Sequence, residues 1–278
     1  MTPIWLWFFL QLPWVFAPVE MPIDPGDPMR LQPVNWMESD KKNVPSVRFD
    51  WGEKLPGKPI SALAPPAIFR FDTGQKITEI NYPNQKTGLP HEVIRDSFIY
   101  QNGKISEWKR ESNGGIDKTF VLPDAEEQQW QIKRFSASNN SSFLQTHYQE
   151  IKLIKQTENK RIFTLGNGYQ TQWAIHEQRS ESKTNEVLIT RSNGGLETRW
   201  HFTYVDDLLT ELTEETPLHR YRYVYEYNSE GQLIKTEHWR NEERHSVAEY
   251  FRYQQKLESV LITFAHHQAM QVVNYSYR

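Results

Sequence analysis

Nine histidines and a scatter of carboxylates are the groups in this chain that could move a proton or hold a metal. His266 and His267 are adjacent, so on a strand they face opposite sides and cannot chelate one ion together. His201, His219, His238 and His245 fall on neighbouring predicted hairpins, where cross-strand proximity could bring two together. No HxH or HExxH spacing exists to make a metal site, so polar strand-face histidines are expected and no metal or cofactor is assigned. Asp206, Asp207, Glu211, Glu214 and Glu215 form the densest acidic run. Glycoside hydrolysis needs two carboxylates facing each other across a cleft, whereas a run this tight reads first as a charged hairpin tip. No GxSxG, SxxK or Gly-rich phosphate loop is present. Asn113-Gly114-Gly115 and Asn193-Gly194-Gly195 precede strand patterns rather than helices, which makes them turns and not phosphate cradles. No catalytic residue is assigned.

The richest chemical feature is aromatic. Tyr221, Tyr223, Tyr225 and Tyr227 alternate with Arg220, Arg222, Val224 and Glu226, and a period of two puts the four rings on one face of a strand. Trp108, Trp173, Trp200 and Trp239 recur at comparable places in other segments. Trp108, Trp173, Trp200, Tyr223, Tyr225 and Trp239 are therefore the candidate binding face, since exposed rings on a sheet hold sugars, peptides or lipid edges. The same rings would serve as the packing spine of a sheet short of aliphatic residues, and that second role is the commoner one.

The elements that must carry these side chains are hairpins. Phe98-Ile99-Tyr100 leads through Asn102-Gly103 to Ile105 and Trp108; Phe202-Thr203-Tyr204 leads through Asp206-Asp207 to Leu208 and Leu209. Phe251-Arg252-Tyr253 leads through Gln254-Gln255 to Leu257 and Val260. Asn228-Ser229-Glu230-Gly231 supplies another turn, with Gly231 free to take positive φ. Copies of the Asn-Gly motif recur at intervals near multiples of about 26 residues, too short a unit for a strand–helix–strand crossover. A strand at Met270–Tyr277 is expected to close the sheet as an edge. Leu257, Leu261 and Ala265 should face one way, and Val260, Ile262 and Phe264 the other.

Composition narrows the setting. Charged residues are 24% and aromatics 13% of the 278 residues, with 32 basic against 35 acidic side chains, which gives no basic footprint for nucleic acid. Cysteine is absent, so disulfides and thiol chemistry are excluded. Residues 1–17 read as a signal peptide: a short apolar run from Ile4 to Leu12 precedes Val15-Phe16-Ala17, although no Lys or Arg stands before the run and Pro18 comes directly after the cut. Residues 18–66 hold ten prolines and read as an extended segment, in which Trp36, Phe49 and Trp51 could pin parts onto the neighbouring domain. Residues 67–278 form the hairpin domain. Asn139 and Asn140 sit in glycosylation sequons, meaningful only in a eukaryotic secretory host.

Over Tyr221 to Val260, the run Tyr223-Val224-Tyr225-Glu226-Tyr227-Asn228-Ser229-Glu230-Gly231-Gln232-Leu233-Ile234 resembles the YD repeat of RHS-type proteins, with Glu-Tyr-Asn where Tyr-Asp is usual. The resemblance implies a continuous antiparallel meander that coils, in a bacterial, exported setting. The toxin-enclosing role of the large RHS proteins does not carry over to so short a chain.

The expected fold is all-β: an antiparallel meander of repeated β-hairpins, YD-repeat-like, in a coiled or half-barrel single sheet. The expected function is an exported, envelope-associated (periplasmic or secreted) module that binds or scaffolds an unknown protein or glycan ligand, with no nucleic acid partner. Membrane contact is expected only through a retained N-terminus. The alternative is an envelope carbohydrate-active hydrolase using strand-borne carboxylates. An outer-membrane barrel fits less well, because both strand faces carry charge.

Overall fold

The computed structural model describes residues 23–24, 32–33, 45–62, 66–74, 77–83, 93–101, 104–112, 115–123, 128–138, 142–166, 171–180 and 183–277. The leader, Trp36, the sequons at Asn139 and Asn140, and the Asn-Gly pairs at 102–103, 113–114 and 167–168 lie outside them. Two short strands, β1 (Ile23–Asp24) and β2 (Gln32–Pro33), pair with each other. Every other strand joins one sheet: β3 (Ser46–Lys54), β4 (Ser61–Ala62), β5 (Ala67–Phe71), β6 (Ile77–Pro83), β7 (Val93–Gln101), β8 (Lys104–Ser112), β9 (Gly115–Pro123), β10 (Gln129–Ser138), β11 (Leu144–Thr157), β12 (Lys160–Gly166), β13 (Thr171–Ser180), β14 (Lys183–Arg191), β15 (Leu196–Val205), β16 (Leu208–Glu215), β17 (Arg220–Tyr227), β18 (Leu233–Arg240), β19 (Glu243–Tyr253), β20 (Lys256–Phe264) and β21 (Met270–Tyr277).

The meander of antiparallel hairpins is as the alternation predicts. Its closure is not. β21 is no edge: it pairs along its whole length with β3, setting Val273 opposite Trp51, Tyr275 opposite Phe49 and Tyr277 opposite Val47. β3 then pairs with β5, and the sheet becomes a closed barrel of eighteen strands, leaving aside the two-residue β4. This corrects both the half-barrel and the YD-repeat resemblance, which implied an open coiling sheet. Closure comes from within the proline-rich stretch. Pro45 and Pro56 stand just outside β3, and none falls inside it, so the ladder keeps all its donors. Closing the ring removes the edges that an open meander would leave unpaired.

The inner face is apolar and packed. Val47, Ile175, Leu212, Leu257, Val260, Ile262 and Val273 are wholly inaccessible to water although they lie on strands spread around the ring. A round barrel of this strand number would leave an aqueous channel. The inward side chains here are instead shielded from water, and along the wall their rings pack edge to face, as Phe49–Tyr275 at 4.8 Å and Trp130–Phe163 at 6.1 Å.

Bulges next to the turns tune which side chains face in. Asp206-Asp207, Asn241-Glu242 and Gln254-Gln255 each take two successive positive φ values, between 47° and 69°, as a two-residue hairpin turn with the right twist demands. Beside the hairpin connections one strand often carries an extra residue: Asn185, Thr210, Ile234 and Glu258 are the unpaired residues at four such places. The extra residue at Glu258 shifts the parity of β20, so Leu257 joins Val260 and Ile262 on the inner face. The expected split of that strand is corrected accordingly. Where the extra residue has a hydroxyl, it donates back across the hairpin: Thr78 to the Arg70 carbonyl at 3.3 Å, Ser106 to Ile99 at 3.2 Å and Thr210 to Thr203 at 3.2 Å. Three tyrosines clamp the same region. Tyr204, Tyr227 and Tyr277 donate to the carbonyls of Thr184, Leu209 and Leu257 at 2.9, 2.7 and 2.8 Å. Burial raises the Tyr204 phenol to about 12 and pushes Tyr227 up as well. These tyrosines mark one rim of the barrel, the tyrosine rim.

Candidate functional site

At the opposite rim the inward side chains turn polar. The connections β16–β17, β18–β19 and β20–β21 all lie there, the first carrying His219 and the last His266 and His267, so it is the histidine rim. On one wall, β7 and β8 place Asp96 against Arg110, two parallel bonds of 2.8 and 2.7 Å, and the guanidinium lies 4.6 Å over the Trp108 ring. Beside it Asp117 accepts from Arg134 at 3.0 Å and from the Ser136 hydroxyl.

About a third of the ring away in strand order, aromatic rings form a ladder across β17–β21. His219 and Tyr221 are 6.0 Å apart between centroids, Tyr221 and His238 5.8 Å, and His238 and His245 5.2 Å. His245 to Phe264 is 5.9 Å and Phe264 to His267 6.1 Å. Tyr223 stacks on His238 at 4.7 Å, nearly parallel. Arg240 reaches from above: its Nη2 is 3.1 Å from His219 Nε2, and its guanidinium lies 5.9 Å over Tyr221. His238 is there because register sets it between Tyr223 and Ser246, whereas His245 is delivered by the slip at His238/Trp239. Burial, then the charges of Arg240, His267 and His266, hold the His245 imidazole below its usual range. Buried Glu214 stands opposite Tyr221 in register.

Of the candidate binding rings, Trp108, Trp200, Tyr223 and Tyr225 are buried in the inner wall, and Trp173 is half-buried against it. Trp239 faces outward, donating to Glu237 at 3.2 Å with Arg244 over its ring. The acidic run divides between faces. Asp206 and Asp207 make a turn, Glu211 and Glu215 pair outside with Arg222 at 2.9 Å and Arg199 at 3.4 Å, and Glu214 points in. The run is therefore not a facing pair. Glu177, fully buried near the tyrosine rim, is bound by Arg161 at 2.6 and 2.9 Å and by Thr184 at 2.8 Å, which neutralises it in place. Among the described residues no group of three or more His, Asp or Glu stands where it could hold a metal ion.

The outer face is charged in mid-strand: Lys109–Glu111 at 2.6 Å, Lys235 to Glu226 and Glu237 at 2.9 Å each, and Arg48–Asp50 at 2.7 Å. On a lipid-facing barrel surface each such Lys or Arg would cost about 2–4 kcal/mol near the midplane. The barrel is thus the inverse of a membrane-spanning one, apolar within and charged without.

The histidine rim was only partly legible. Alternation predicts the Tyr221–Tyr227 stripe, but the residues of the imidazole ladder come from two connections, a strand and a bulge, and spacing alone cannot bring these together.

No family model matches the chain, and no curated protein matches it. Among solved structures the chain is similar to a porin-like protein from Bacteroides uniformis (TM-score 0.36, 9% identity, covering 85% of this chain and 97% of that one). It is similar also to a porin-like protein from Bacteroides vulgatus (TM-score 0.31, 7% identity, 84% and 98% covered). A LolA superfamily protein from Nitrosomonas europaea is more distant still, at TM-score 0.18 and 9% identity over 87% of this chain and 90% of that one. Similarities this weak fix neither family nor function.

Proposed function

We propose that this chain is an exported, non-catalytic barrel of the bacterial envelope, periplasmic or secreted, that binds a protein or glycan ligand at its histidine rim. The observation that carries this reading is the combination of an inner wall whose described apolar side chains are shielded from water with one rim that gathers part-exposed imidazole and phenol rings beneath Arg240. Stacked rings beside guanidinium and imidazole donors suit a sugar face or an acidic peptide. A hydrolytic role finds less support, since the buried Asp96 and Glu177 each serve an arginine. The test is calorimetric titration of the detergent-free protein with envelope oligosaccharides and acidic peptides, repeated with Tyr221→Ala and His219→Ala. Saturable binding that both variants weaken supports the reading. Binding indifferent to both, or turnover of a glycan, contradicts it.

A further inference from the structure

A second surface lies at the tyrosine rim, on the outer face of β15–β19. Tyr253 is 61% exposed, Val205 56%, Phe251 49% and Ile234 39%. All four are within about three residues of a turn at this rim, on strands spanning about 20 Å of arc. Ile234 departs from the pattern of the fold. It occupies the extra-residue position on the strand that follows a hairpin turn, where β6, β8, β14, β16 and β20 carry Thr78, Ser106, Asn185, Thr210 and Glu258; the exposed Ile154, the extra residue of the β11–β12 hairpin, lies instead on the strand before its turn. A threonine there would gain the back-donated hydrogen bond that Thr210 makes, so folding alone does not favour isoleucine. Phe251 likewise stands where β15 has Thr203 and β17 has Glu226.

The turns framing this patch are acidic: Asp206 and Asp207 beside Val205, and Glu230 in the turn before Ile234. The cations nearby are engaged, Lys183 by Asp207, Lys235 by Glu226 and Glu237, and Lys256 over the Tyr277 ring. The described turns of this rim contain no Lys or Arg. A second copy docked rim to rim would set carboxylate against carboxylate, and an anionic membrane surface would be repelled likewise. We propose that this patch docks a protein partner presenting apolar side chains flanked by Lys or Arg.

The probe is a fluorescent amphipathic Leu/Lys helical peptide added to the full chain, with a Leu/Glu peptide, anionic and zwitterionic vesicles, and the protein's own oligomeric state as comparators. The test variants are Ile234→Thr and Phe251→Thr, both expected to melt no lower than the parent. Saturable binding of the Leu/Lys peptide, weaker in salt and weaker by about tenfold or more in each variant, supports the proposal. No binding, binding unchanged in the variants, preference for the Leu/Glu peptide or for vesicles, or self-association through this rim overturns it. The histidine-rim variants Tyr221→Ala and His219→Ala should leave this binding unchanged, so the two rims stand or fall separately.

Discussion

Replacing Glu177 alone should be among the most damaging single changes in the protein, and replacing it together with Arg161 far less so. The Glu177 carboxylate has no exposure to water and accepts three hydrogen bonds, two from Arg161 and one from the Thr184 hydroxyl, with Arg179 Nε 3.8 Å away. Glu177→Met leaves the largely buried Arg161 guanidinium without its counter-charge, and breaking a buried pair from one side costs about 3–5 kcal/mol. Each kcal/mol moves the midpoint of a chain this size by about 2–4 °C, so a fall of about 6–20 °C is expected. Glu177→Met/Arg161→Met removes both charges and keeps the volume, which is often neutral or stabilising. The assay is urea unfolding, read by fluorescence of the ten tryptophans. The reasoning is refuted if Glu177→Met unfolds within about 0.5 kcal/mol of the parent, or if the double variant is as damaged as the single one.

Other outcomes rest on the same structure. Gln254-Gln255→Asn-Gly should stabilise by about 1 kcal/mol or more in chemical denaturation, because both residues sit at positive φ where Asn and Gly fit better. Gly115→Ala should destabilise by more than about 2 kcal/mol, since its new Cβ would lie 2.2 Å from the Ala137 carbonyl oxygen. Tyr227→Phe should cost about 1 kcal/mol through loss of the bond to Leu209, with little change in m-value. Stability should also fall on mild acidification. The folded pKa of His245 lies below the ordinary 6.5, so as pH drops from neutral the unfolded chain protonates first. The loss begins near 6.5 and is complete below the folded value; unfolding at pH 7.5 and pH 5, compared with His245→Asn, reads it out.

Local chemistry made the hairpins legible. The Tyr221–Tyr227 alternation, the turn at Gly231 (φ 75°) and the Asp206-Asp207 tip all stand where the sequence put them. Closure was not legible, because Val47, Phe49 and Trp51 find Tyr277, Tyr275 and Val273 across most of the chain, and no local pattern encodes that pairing. Bulges hid the rest. One extra residue reverses which face a side chain takes, so strict alternation misassigned Leu257, and although neighbouring hairpins could bring two of the four histidines together, only the bulge selects His245 as the partner of His238. The aromatic stripe was visible as a stripe, but whether its rings faced water depended on closure, which puts Tyr223 and Tyr225 inside a barrel the sequence did not announce.

The seam between β3 and β21 offers the most direct measurement. The chain has no cysteine, so Asp50→Cys/Asn274→Cys introduces a lone pair at directly opposed positions on the outer face. Opposed strand residues stand about 4.5–5.5 Å apart between Cα atoms, within disulfide range. Closure predicts near-quantitative intramolecular disulfide in the folded, detergent-free monomer, none in urea, and none for Asp50→Cys paired with Glu211→Cys. A seam pair that stays reduced under oxidising conditions while the protein is folded would contradict the closed barrel.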